Sequence, residues 1–341
     1  MDFKNNRYLF LVVLFVCLFL AVEIGSRAVW TIRYGISFLD PREYIYHFYP
    51  TLKRAVEKTP GPNFKRYDIL LLGGSVLGDS SLESLLKEKI AARQKKEVRI
   101  YNLAMPAHTS LDSYYKYKNL QDKKFDLIVF YEGLDGLPLN NCPPSIFKND
   151  YSHLPWYNEI NQFEKFGRLN FLSSPFTFYC IIAKIEEKIF PLEYMPSGTN
   201  KLRDQWVSYG DDIKTKDSYW ENIFKILKIA QGKKENVLLM TFAFYVPEGY
   251  SLEKFEKRQL DYQAYTIPIE ACGKPENIIK GMNANNEVIK ELAKKYDNII
   301  FVDQEALIPK EGDFFDDFCH FSQKGREKFV ENILNAINDK L

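Results

Sequence analysis

Five short apolar runs of β type, at residues 67–73, 98–103, 125–131, 236–242 and 298–303, punctuate the chain. Helical periodicity fills 82–94, 110–122, 217–231, 280–296 and 323–339 between and after them. This alternation predicts a parallel sheet covered by helices on both faces. With right-handed crossovers, a doubly wound sandwich is the economical topology. In the first run Ile69-Leu-Leu-Leu72 is continuously apolar, the pattern of a strand buried on both faces in mid-sheet. The last helical stretch puts Phe329, Ile333, Leu334 and Ile337 on one side and charges on the other, so it should pack on the sheet.

Two stretches interrupt the alternation. Residues 137–216 are rich in aromatics, prolines and turn formers, and residues 246–279 form a shorter break; both leave from the carboxyl ends of strands, the rim where insertions shape a pocket or lid. Residues 31–66, with Pro41, Pro50, Pro60 and Pro62, read as an extended neck. Before them, Tyr8 to Val22 is uninterrupted apolar sequence, and with its flanks from Leu9 to Trp30 it is long enough for a transmembrane signal-anchor helix. No small-x-small site closes the run, which favours retention over cleavage, and Val16 is too large for a lipoprotein site at Cys17. Lys4 and Arg7 before the run are balanced by Arg27 and Arg33 after it; the short amino-terminal tail favours residues 31–341 on the outer side. The domains expected are therefore 1–30 anchor, 31–66 neck and 67–341 sandwich with insertions.

Composition changes this picture little. The 341 residues carry a net charge of +1, which argues against a nucleic-acid partner. Aromatics make up 15% of the chain, many of them between residues 140 and 265, where they either stack on a flat or sugar-like ligand or pack within the insertion. Five cysteines make no disulfide scaffold; Cys142 with Cys319 is the first pair to test for one bridge, and no spacing matches a zinc motif. No phosphate loop is present either, so neither a metal nor another cofactor is expected.

The chemistry gathers at strand ends. Gly73 and Gly74 end the first strand and allow close backbone approach, and Ser75 follows at the carboxyl end of a central strand. Ser75 is a candidate nucleophile; the plainer alternative is a capping serine at a strand-to-helix turn. After the last strand, Asp317 and His320 stand three apart in Asp313-Phe-Phe-Asp-Asp-Phe-Cys-His-Phe-Ser-Gln-Lys-Gly325, a spacing that lets one loop present an imidazole with a carboxylate behind it. Ser80, in Gly78-Asp79-Ser80-Ser81, lies beyond the strand end and is expected to cap the helix with Ser81.

These blocks resemble, in order, those of the SGNH (GDSL-like) hydrolases, serine esterases and acyl hydrolases on a flavodoxin-like α/β/α fold. The first block is matched by Gly73-Gly74-Ser75, the last by Asp317, His320 and Gly325, and the second by Asn102-Leu-Ala-Met-Pro-Ala107-His-Thr-Ser110. The resemblance covers about residues 67–135 and 236–341. It implies a three-layer sandwich with a five-stranded parallel sheet, Ser75 as nucleophile, His320 as base, Asp317 as its orienter, and backbone donors to the oxyanion from Ser75, after Gly74, and from Ala107. Ala107 replaces the glycine usual in the family, and its donor survives if its φ stays negative. In the third block the family has an asparagine donor where this chain has Asp135, in Glu132-Gly133-Leu134-Asp135-Gly136. An ionised carboxylate only accepts hydrogen bonds. Either Asp135 stays protonated in an apolar site, or Asn140 or Asn141 reaches in from the next loop.

His108 is a substrate contact or a structural histidine; His153, with Tyr151, Trp156 and Tyr157, lines the pocket or packs within the insertion; His47 receives no role. The function implied is hydrolysis of an ester-linked acyl group by a membrane-anchored, outward-facing enzyme, with an acylated envelope or exported polysaccharide suggested by location. Acyl transfer to an acceptor other than water, and a degenerate carbohydrate-binding or assembly subunit, are the alternatives.

Overall fold

The computed structural model describes residues 3–58, 66–93, 96–120, 122–189 and 204–337. The chain divides into two compact units, Met1–Lys53 with Asp150–Met195, and Arg54–Asn149 with Pro196–Leu341.

In the second unit the apolar runs become β1 (Arg66–Gly73), β2 (Glu97–Asn102), β3 (Leu127–Tyr131), β4 (Asn236–Met240) and β5 (Ile299–Val302). All neighbours pair in parallel, in the order β2-β1-β3-β4-β5. This is the flavodoxin-like order, and it bears out the expected fold class: ligands in such sheets bind where the strand order reverses, at the β1/β3 junction. Gly73 pairs with Tyr131 at that junction. The continuous apolar patterning of β1 and β3 has its cause here, since both strands are covered on both faces: Ile69, Leu70, Leu71, Leu72, Ile128, Val129 and Phe130 are fully buried.

Helices Ser80–Arg93 and Gln323–Ile337 pack together on one face, while Ser110–Lys118, Thr215–Lys233 and Pro275–Ala293 pack in series on the other, giving three layers. Phe329, Ile333, Leu334 and Ile337 are all buried, as the periodicity of the last helix requires. At the end of β1 a side chain on Gly73 would place its Cβ 2.1 Å from the Tyr131 carbonyl oxygen, at a φ of +155°. Only glycine fits there.

In the first unit the helix Phe3–Tyr34 contains a stretch, Arg7–Tyr34, that is long and apolar enough to cross a membrane. The expected extended neck is instead folded: Pro41–Tyr44, Ile45–Phe48 and Pro50–Lys58 are short helices, with a proline at the start of two of them, where a missing N–H costs nothing. Residues 59–65 of that stretch lie outside the described residues. Tyr44, Phe48, Phe163 and Phe176 are buried against one another and Trp30, so much of the aromatic richness is core packing. His153, Tyr151 and Tyr157 are buried too, with the two tyrosine rings in edge contact, whereas Trp156 is 40% exposed. All five cysteines are free, so the Cys142–Cys319 bridge is absent.

Candidate active site

Gly74 has an extended backbone and leads directly into a four-residue helix, Ser75–Gly78. This turn holds Ser75 above the end of β1, half-buried. The helix cap farther along is Asp79 rather than Ser80 or Ser81: its Oδ1 accepts the Ser81 N–H at 2.8 Å and its carbonyl the Glu83 N–H at 3.0 Å. The carboxylate outcompetes the neighbouring hydroxyls because it is acceptor-only and charged, opposite the positive end of the helix dipole.

Ser75 Oγ lies 2.9 Å from His320 Nε2, and His320 Nδ1 lies 2.8 Å from Asp317 Oδ2. Asp317 is fully buried and accepts three backbone N–H groups as well, from Cys319 (2.9 Å) and His320 (2.8 Å) on Oδ1 and from Ile267 (3.1 Å) on Oδ2. The loop is clamped by a bridge between Phe315 and Phe321 and by the Asp316 N–H donating to the His320 carbonyl. With Asp317 accepting from Nδ1, the proton stays on that nitrogen and the Nε2 lone pair faces the Ser75 hydroxyl. Burial works against an imidazolium at His320, but the hydrogen bond to Asp317 and the charges of Asp317, Asp135 and Asp316 outweigh it and raise its pKa above the ordinary value.

The second block is laid beside Ser75 by the sheet itself. The Leu103 and Met105 N–H groups donate to the Leu71 and Gly73 carbonyls, continuing the β1–β2 ladder past the strand end. Asn102 fixes the loop by donating to the Leu77 carbonyl and accepting the Ala104 N–H. Ala107 follows with φ at +62°, so the expectation of a negative φ fails. The loop keeps the left-handed turn that a glycine would make without strain. Ala107→Gly is therefore expected to leave stability unchanged or raise it by up to ~1 kcal/mol. A thermal midpoint lowered by several degrees would contradict this.

The Ala107 N–H does not point into open space. It donates to Asp135 Oδ1 at 3.1 Å, while a Cβ on Gly74 would fall 1.7 Å from Asp135 Oδ2, so the Asp135 carboxyl sits directly against the backbone beside the nucleophile. Burial raises its pKa to about 7, aided by the Asp112 charge and opposed by the Ala107 N–H, His320 and Lys116. Beneath it, burial drives Glu132 well above the carboxylate range, reinforced by Asp135 and Asp112, and lowers Lys116 to about 8. The Lys116 ammonium donates to the Leu103 carbonyl at 2.7 Å.

The asparagines considered as substitute donors are occupied elsewhere. Asn141 donates to the Pro138 and Cys272 carbonyls, and Asn140 donates to Thr215 Oγ1 and accepts its N–H. They fasten the loop after β3 rather than reach the site. His108, next to Ala107, is half-buried with its pKa lowered to about 4, chiefly by burial, and so is neutral.

Asp317, Cys319 and His320 have ligand atoms within 4.8 Å of one another, a grouping that sequence spacing did not suggest for a metal. The Asp317 carboxylate is already filled by N–H donors, and burial keeps the Cys319 thiol protonated by raising it well above its ordinary range. The set fits a hydrogen-bonded base better than a cation.

Sequence reading also missed a cavity of about 200 Å³ beside His320, lined by Val76, Leu82, Thr266, Phe321 and Arg326 among others. Arg326 donates to Asp79 Oδ2 at 3.2 Å and to the Phe321 carbonyl at 2.8 Å, joining the helix start after β1 to the His320 loop. Its place one turn into the last helix carries no motif; only the fold brings it to the site.

No protein-family model matches the sequence, and no curated protein matches it. Solved structures similar to the chain include a GDSL-like lipase from Bacteroides thetaiotaomicron VPI-5482, 12% identical, covering 86% of this chain and 100% of that one with a TM-score of 0.49. A lipase/acylhydrolase from Enterococcus faecalis is 18% identical, covering 81% and 97%, with a TM-score of 0.40. An acetyl xylan esterase is 11% identical, covering 79% and 99%, with a TM-score of 0.41.

Proposed function

We propose that this chain is a serine hydrolase or acyltransferase acting on an ester-linked acyl group. The observation that carries the reading is the unbroken hydrogen-bonded line from Ser75 through His320 to Asp317 at the β1/β3 switch point. Ser75 Oγ attacks the acyl carbonyl while its proton passes to His320 Nε2, and the buried Asp317 stabilises the imidazolium. Collapse of the tetrahedral intermediate returns that proton to the leaving alcohol and leaves acyl-Ser75. Water, or a second alcohol in a transferase, then attacks the acyl carbon as its proton passes to His320 Nε2, and collapse of this second intermediate returns that proton to Ser75 Oγ and releases the acid or the new ester. The oxyanion meets the Ser75 N–H and the Asp135 carboxyl, which the Ala107 N–H orients; protonated, that carboxyl is a donor.

The apolar helix Arg7–Tyr34 supports membrane anchoring, and the catalytic unit is taken to face outward. On that placement an acylated envelope or exported glycan is the substrate class.

A second reading has its own support. Asp135 Oδ1 occupies the Ala107 N–H, and as a carboxylate it would repel an oxyanion, as in a degenerate binding or assembly subunit. A fluorophosphonate probe separates the two in the full-length protein in detergent. Covalent labelling of Ser75 at pH 6–8, absent from Ser75→Ala, is expected of the enzyme. Labelling at another residue, or none at any pH, would overturn it.

A further inference from the structure

We propose that the helix Ser174–Ile189 lies in the membrane interface beside the anchor, with Phe178, Ile181, Ile182, Ile185 and Ile189 turned to lipid. The proposal rests on the reading of the apolar part of the helix Arg7–Tyr34, before Glu23, as a membrane span.

Those five residues recur at helical spacing, so at 100° per residue they form one stripe. They are 52%, 49%, 54%, 51% and 63% exposed. Surface helices of soluble proteins turn such a stripe inward. Here the inward side is the opposite one: Phe176 is buried against Trp30, Phe163 and Phe166, and Cys180 and Ala183 follow it on that side. The helix is therefore already docked, and its apolar stripe is left over.

What covers the stripe is indicated by where the helix starts. The Glu23 carboxylate accepts the N–H groups of Ser173 (2.9 Å) and Ser174 (2.9 Å), capping the helix from the anchor, and Ser26 Oγ bonds Thr177 Oγ1 at 2.5 Å. Glu23 directly follows the apolar run that ends at Val22, and Arg27 and Arg33 come next. The first turn is thus pinned where the anchor leaves hydrocarbon for headgroups. Exposed Lys184 and Lys188 stand on one shoulder of the stripe and Glu186 on the other, the arrangement of a helix whose long cationic side chains reach headgroups while its face sinks into the acyl boundary.

The test uses the full-length protein in phospholipid nanodiscs, in a Cys17→Ser, Cys180→Ser background, with a nitroxide at Ile182→Cys or Ile185→Cys and, as the reference for the anchor, at Val13→Cys. Relaxation by lipid-soluble oxygen is compared with relaxation by a water-soluble nickel chelate. Oxygen-dominated relaxation at 13, 182 and 185, with nickel-dominated relaxation at Lys148→Cys, is expected. Oxygen at 13 with nickel at 182 and 185 would overturn the proposal and leave the anchor standing. Protection from both reagents at 182 and 185 would overturn it in favour of a protein partner, such as a second copy. Nickel at 13 would overturn the anchor reading and the proposal with it.

Discussion

Asp317→Asn is expected to lower kcat/KM for a nitrophenyl ester by about 10³–10⁴-fold with Ser75 and His320 both in place. The size follows from which atoms the carboxylate serves. Oδ1 accepts two backbone N–H groups, from Cys319 and His320, and Oδ2 accepts the Ile267 N–H and the imidazole Nδ1. An asparagine has one acceptor oxygen, which goes to the two backbone donors; its NH₂ then faces Nδ1 and the Ile267 N–H. Nδ1 must turn acceptor, so the imidazole proton moves to Nε2, where it blocks transfer from Ser75. The Ile267 donor is left facing another donor, at a cost of about 1–3 kcal/mol. A second readout separates this from simple unfolding. Because Asp317 helps raise the His320 pKa, the residual activity of the variant should have its acid limb at lower pH than the wild type. Turnover within tenfold of wild type would remove Asp317 from the mechanism.

The framework on which that loop hangs was legible because each element carries its own periodic signal. The runs expected at 98–103 and 236–242 became Glu97–Asn102 and Asn236–Met240, and the last helix begins at Gln323 as its pattern requires. Gly73-Gly74-Ser75 and Asp317-x-x-His320 were legible for a related reason: a strand end fixes where the next few side chains go. The left-handed φ of Ala107 was not, since alanine ordinarily avoids that region; it is the third residue of a turn closed by the His108 N–H on the Met105 carbonyl, after Pro106. Nor was the folded neck, where the prolines that suggested extended chain instead start helices. Asn141 misled because an amide near a site has donors to offer, and only the fold shows that the Pro138 and Cys272 carbonyls take them. Lys116, Glu132 and Arg326 carry no motif, and they meet the site through tertiary packing alone.

Asp135→Asn is expected to change the pH profile more than the peak rate, and to gain about 10²–10³-fold over wild type near pH 9, the worth of one oxyanion donor. Asp135 faces the Ala107 N–H and Gly74 backbone on one side, His320 across the site, Asp112 and Lys116 from the helix Ser110–Lys118, and Glu132 on its own loop. Below about pH 7 its buried carboxyl is protonated and donates; above, it is an anion beside the place where negative charge develops. His320 has the opposite requirement, for it must be neutral to accept the Ser75 proton, and its pKa is raised in part by Asp135 itself. Over the pH range between the two the pair holds one proton, and only the form with that proton on Asp135 is competent. The wild-type rate should therefore trace a low bell near neutrality. An asparagine donates at every pH and removes a charge that favours the imidazolium, so the variant should rise with pH through a lowered imidazole pKa and then stay level. Stability gives an independent measure of the same proton. The folded pKa of Asp135 lies above its unfolded value, so the wild type loses stability as pH rises from about 4 to about 7, and the thermal midpoint of Asp135→Asn should pull ahead over that interval and remain ahead above it. A wild-type rate that climbs and stays level to pH 9 would show that Asp135 takes no part. A wild type inert at every pH, with activity appearing only in Asp135→Asn, would mark this carboxyl as the group that disables an otherwise assembled serine site.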